Sequence, residues 1–118
     1  MTVFSSKDRG TAAEMQARLF LESRGMRFVE RNYRCRRGEI DLIMREDDTI
    51  VFVEVRLRRN TSFGGAAETV DGRKRNKLTT AAHHYLQRHR VDGPCRFDVV
   101  AIDGGGPPHW ISNAFDAS

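Results

Sequence analysis

Two kinds of apolar period divide the chain. From Thr11 to Arg24, Ala13, Ala17, Phe20 and Leu21 recur at helical spacing and mark one buried face. Gly25 follows where a helix stop is expected. MRFVERNYR (26–34) alternates as a strand with arginines along one side. GEIDLIMR (38–45) and TIVFVEVRLR (49–58) are two further strands, and the EDD between them predicts an antiparallel hairpin. RNTSFGGAAETVDG (59–72) is too polar for a core and reads as a loop. The helical period returns in GRKRNKLTTAAHHYLQRHR (72–90), with Leu78, Ala82, Tyr85 and Leu86 as its stripe. PCRFDVVAID (94–103) is a strand, GGGPP (104–108) a turn, and HWISNAF (109–115) a candidate for a short last strand. Residues 1–9 carry no pattern and are expected to form a flexible arm, with a single domain over 10–118. The order α-β-β-β-α-β predicts an α/β fold, a mixed central sheet flanked by helices.

Acids interrupt this pattern in the hairpin. Side chains alternate across a strand, so Glu39 and Asp41 are expected on one side and Ile40 and Leu42 on the other. Glu54 and Arg56 share a face with Phe52, opposite Val51, Val53 and Val55. A turn at Asp47 or Asp48 brings Asp41 beside Glu54, where like charges destabilise the pair unless a cation lies between them. Hard divalent ions such as Mg²⁺ take few carboxylates and borrow oxygens from phosphate substrates. The other reading is a solvated face whose acids pair with arginines. Glu14 lies within about 20° of Leu21 on a helical wheel, at the edge of the first stripe, and can face the sheet. Its other reading is a salt-bridged or snorkelling side chain.

Composition adds a partner. The 118 residues suffice for one core, and the formal net charge of +4 comes from 17 Arg and 3 Lys against 16 acids. Guanidinium groups fork onto phosphates, which favours nucleic acid, although genomic base composition yields the same excess. Arginines cluster at 24, 27, 31, 34, 36 and 37, at 56, 58 and 59, and in RKRNK at 73–77. Such runs predict salt-sensitive binding without sequence preference. Tyr33 and Phe63 are candidates for base stacking or for core packing. His83, His84 and His89 lack the HxxH spacing of a metal site and are expected to pack or lie at the surface. Asp98 is expected to pair with a nearby Arg or His, with catalysis as the lesser reading. Cys35 and Cys95 have no CxxC spacing, so free thiols rather than zinc are expected. No stretch resembles a signal h-region or a membrane span, so a cytoplasmic protein without a membrane partner is expected.

Together GEIDLI, VFVEVR, GRKRNKL with AAHHYL, RFDVV and the terminal NAF resemble the YraN-like family of small bacterial proteins, from about Gly10 to Phe115. That family is similar to the PD-(D/E)xK nuclease superfamily, with its restriction-endonuclease-like core. The resemblance implies that Asp41 is the first metal-binding acid, Glu54 the second, and Glu14 the acid on the first helix. Arg56 stands where the motif has lysine, and Glu39 of GEID lies behind the ligands. Mg²⁺ (or Mn²⁺) held by Asp41, Glu54 and Glu14 would assist hydrolysis of a phosphodiester. Arg56 keeps the positive charge but cannot act as a general base, and Lys74 is a second source of an ammonium. Arg34, Arg36, Arg37, Arg58, Arg59, Arg73, Lys74 and Lys77 are expected to contact nucleic acid. The expected function is a Mg²⁺-dependent endonuclease on DNA, branched or single-stranded structures included, in repair or recombination. The alternative is a catalytically inactive nucleic-acid-binding accessory module on the same fold. RNA as the partner and the oligomeric state, a homodimer included, stay open.

Overall fold

A computed structural model describes residues 6–58, 72–103 and 106–115. The elements are α1 (Ser6–Ser23), β1 (Arg27–Cys35), β2 (Gly38–Glu46), β3 (Thr49–Arg58), α2 (Gly72–Arg88), β4 (Cys95–Asp103) and β5 (His109–Phe115). All five strands join one sheet in the order β1-β2-β3-β4-β5. Neighbours are antiparallel except β3 and β4, which run parallel and are joined through α2. The α/β order predicted from the sequence is the order observed, and it is that of a restriction-endonuclease-like core.

α1 begins at Ser6, so segment 6–9 of the expected arm is helical. That polar stretch offers no apolar residue for a period to reveal. The helix ends in a Schellman cap. Gly25 takes φ 95°, its N–H donates to the Glu22 carbonyl, and the Met26 N–H donates to the Leu21 carbonyl. Met26 and Leu21 are both buried, which supplies the apolar contact of that motif.

One helix covers each face. Ala13, Ala17 and Leu21 of α1 pack on Leu42, Met44, Val51, Val53, Val100 and Ile102. Leu78, Ala81, Ala82 and Tyr85 of α2 pack on Tyr33, Ile40, Ile43, Phe52, Phe97 and Val99. β3 is therefore buried on both sides, which explains its nearly unbroken apolar run.

One expectation about faces fails. Ile40 lies in the α2 cluster and Leu42 in the α1 cluster, so they do not share a side. The strand pleat is broken locally: β1 carries a bulge between Phe28 and Glu30, and Asn32 has φ 52°. Tyr33 consequently turns into the core at 5% exposure, meeting Tyr85 edge-to-face, and is not placed to stack on a base. Phe63 lies outside the described residues. Among those residues, no helix is long and apolar enough to cross a membrane.

Candidate functional site

The acids meet where the sheet divides. The β2–β3 ladder runs from Glu46↔Thr49 to Leu42↔Val53 and stops there. β3 continues along β4 as far as Arg58↔Asp103, while β2 continues along β1 to Cys35↔Gly38. The Val55 N–H, facing the gap, donates to Asp41 Oδ2 at 2.8 Å. A buried backbone donor needs such a partner, and the carboxylate supplies what the departed strand no longer does.

The Glu54 carboxyl lies next to that bond, close enough for each acid to act on the protonation of the other. Two carboxyls that close disfavour ionising together. Burial first, and Asp41 second, push Glu54 up to about 7, against Lys74 and Arg56. Burial also raises Asp41, opposed by the Val55 N–H and by Glu54. Arg56 and Lys74 each bring a cationic nitrogen to 3.6 Å from Glu54 Oε1. Glu39, Glu54, Lys74, Lys77 and Leu78 line a cleft of about 40 Å³ beside the pair, room for a water or an ion.

Glu14 approaches from α1. Burial raises its carboxyl, and the nearby Asp41 charge raises it further. Arg31, the Asn32 side chain and Arg34 act in the opposite direction. Its Oε2 is buried with no hydrogen-bond partner among the described residues. The three acids are thus neighbours without forming a closed cage. Among the described residues no group of three or more His, Cys, Asp or Glu is gathered tightly enough to enclose an ion. The intimate pair is Asp41 with Glu54.

The other expected residues sort by position. Glu39 is exposed, 3.9 Å from Arg34, and its charge acts on Asp41. Arg34, Arg36 and Arg37 are exposed at the β1–β2 turn, and Arg73, Lys74 and Lys77 are exposed on α2. Arg59 and the Arg58 side chain lie outside the described residues. Asp98 is 1% exposed and accepts from Arg96 Nε and Nη2, Trp110 Nε1 and the Asn113 N–H. That set makes it a strut tying β5 to the sheet, because its lone pairs are committed. His84 Nδ1 and the Tyr33 hydroxyl are hydrogen-bonded at 2.6 Å, and His89 packs on the Tyr85 ring.

Two participants escape sequence reasoning. Asn32 acts to lower the Glu14 carboxyl, and its signal was only a polar residue inside a strand. Gly38 lies against α2, where an added Cβ would come 2.4 Å from the Lys77 carbonyl oxygen and 2.8 Å from the Ala81 nitrogen. The glycine of GEID is what lets α2, with Lys74, sit close to the acids.

A five-stranded mixed sheet with a helix on each face, divided at an acid pair, defines an α/β protein with a restriction-endonuclease-like core. The family model described as "Uncharacterised protein family UPF0102" matches residues 13–102, and the chain belongs to that family. It is 54% identical over 112 residues to a UPF0102 protein of Nitrosomonas eutropha, covering 95% of this chain and 97% of that one. It is 53% identical over 117 residues to a UPF0102 protein of Ectopseudomonas mendocina, covering 96% and 98%.

Proposed function

We propose that the chain is a Mg²⁺- or Mn²⁺-dependent endonuclease acting on DNA in the cytoplasm, branched or single-stranded structures among its substrates, in repair or recombination. The observation that carries this reading is the Asp41–Glu54 pair at the division of the sheet, with Arg56 and Lys74 each 3.6 Å from Glu54. Two buried acids that disfavour ionising together fit a hard cation, which removes the repulsion. Asp41 and Glu54 would hold the ion, with Glu14 adding to its surroundings. Bound there, Mg²⁺ would polarise a phosphate and acidify a water.

The chain's own groups supply the rest. Arg56 and Lys74 would meet the negative charge of the scissile phosphate. Arg56 stays charged throughout the working range, so it neutralises phosphate without taking a proton. Lys74, on α2, offers the ammonium that position 56 lacks. In the hydrolysis the water oxygen bonds to phosphorus, and the P–O3′ bond breaks. The 3′-oxygen leaves with that electron pair and acquires a proton. Helix α2 also begins with Arg73, Lys74 and Arg75, then Lys77, and carries no acid in its first turn. That start opposes the helix dipole, and an adjacent phosphate backbone would offset it.

Arginine at 56 favours a second reading, a nucleic-acid-binding accessory module without catalysis. One assay separates the two. Single-stranded, duplex and branched DNA are incubated with the protein and Mg²⁺, Mn²⁺ or EDTA, alongside Asp41→Ala and Glu54→Ala. Metal-dependent cutting that both substitutions abolish is the expected result. Salt-sensitive binding without cutting, little changed by either substitution, would establish the accessory module instead.

A further inference from the structure

Phe28 and Arg31 lie three residues apart on β1, a spacing that puts side chains on opposite faces of a regular strand. The bulge between Phe28 and Glu30 undoes that alternation. Phe28 pairs with Met44 and Arg31 with Leu42, and both partners belong to the core beneath α1. An aromatic ring and a guanidinium are thus brought to the α1 face of a strand at the edge of the sheet. From α1, Arg18 Cζ sits 3.7 Å from the centre of the Phe28 ring. Its Nε is buried without a hydrogen bond among the described residues, 3.4 Å from Glu22 Oε1, so the ring and that ion pair fix the head. The side chain keeps 31% of its surface open. Met15, Arg18, Phe28, Val29, Glu30 and Arg31 line a groove of about 520 Å³. Met15 and Val29 are exposed there. Among these residues Glu30 is the only acid, and it pairs with Ile43 of the core beneath α2. Met15 follows Glu14, and Arg31 pairs with the residue after Asp41, so the groove opens beside the acids.

A simple anion has no use for exposed Met15 and Val29, and an apolar partner has none for two arginines. A nucleobase with its phosphate uses both, the base through stacking and the phosphate through charge. A duplex keeps its base faces inside, so the occupant is unpaired. We propose that the α1–β1 groove is a subsite for an unpaired nucleotide of DNA, its base stacked on the Arg18–Phe28 pair and its phosphate met by Arg31. The inference rests on the nucleic-acid reading of the acid site and narrows it to DNA with a single-stranded branch or end. α1 and α2 cover opposite faces of the sheet, with the acids at its division. A strand parting from a duplex held at α2 therefore passes the acids on its way into the groove.

The test is fluorescence titration in EDTA, where binding is read without cutting. The probes are a single-stranded DNA carrying a fluorescent base analogue whose emission falls on stacking, and a blunt duplex of the same sequence. The chains are wild type, Arg18→Lys, which keeps the charge and removes the planar head, and Phe28→Leu, which keeps the apolar filling and removes the ring. Emission of the single strand should fall on binding to the wild-type chain. Each substitution should weaken single-strand binding about tenfold and restore emission, while duplex binding stays near its wild-type value. Should Phe28→Leu fail to fold by circular dichroism, Arg18→Lys on a partly open side chain carries the test. Equal losses for both DNAs, or wild-type single-strand affinity in Arg18→Lys, would overturn the proposal. A dimer that Met15→Glu dissociates in sedimentation, with single-strand binding kept, would assign the groove to a second copy instead. A wild-type chain that binds the duplex but not the single strand would sink the subsite alone. Binding to neither DNA would sink the nucleic-acid reading, and the subsite with it.

Discussion

Burial and the neighbouring Asp41 raise the Glu54 carboxyl from its ordinary 4.5 to about 7, while Lys74 and Arg56 pull it back. A group that holds its proton more tightly in the folded state favours folding most when protonated. Its contribution is therefore fully present below about pH 4.5 and is lost as the pH rises through about 7. The loss is on the order of 3 kcal/mol. Melting followed by circular dichroism in EDTA should show stability falling across this window, and Glu54→Gln should flatten the fall. An unchanged slope in Glu54→Gln would mean that other groups govern it. The convergence of Asp41 and Glu54 was legible in the sequence, because strand alternation and the EDD turn fix their relative register. The left-handed backbone of Asn32 inside β1 was not, because local preference there argues for an extended backbone.

The two helices are read from period, since each buries a stripe against one face of the sheet. The split between β2 and β3 was hidden for a non-local reason. β3 leaves its hairpin partner because β4, far along the chain, extends the parallel ladder to Arg58↔Asp103. No local pattern encodes that competition. The same holds for Gly38, whose lack of a side chain matters only because α2 crosses it at Lys77 and Ala81. Gly38→Ala would drive a methyl into helix backbone, which cannot give way as a flexible side chain could. The expected cost is about 1–3 kcal/mol, read as a lower denaturant midpoint, together with weaker nucleic-acid binding as Lys74 and Lys77 move outward. A Gly38→Ala chain of native stability would show that α2 is less tightly seated than the geometry requires.

Across the molecule, the contact of Gly38 with α2 brings the β1–β2 turn, with Arg36 and Arg37, alongside the helix bearing Lys74 and Lys77. Two basic runs separated in sequence thereby flank one acid pair, while the net charge of the chain is only +4. Binding through such a surface should weaken with salt. Arg73→Ala, Lys74→Ala and Lys77→Ala combined should reduce the slope of log affinity on log salt by about 2–3 for duplex DNA. An unaltered slope would move the nucleic-acid path away from α2. The central claim, that Asp41 and Glu54 form one cation site, is tested most directly by titrating Mn²⁺ into the wild-type chain, Asp41→Asn and Glu54→Gln above pH 7.5, in the absence of nucleic acid. The account predicts saturable binding to the wild-type chain that either substitution removes. Binding that survives both substitutions, or none to the wild-type chain, would contradict it.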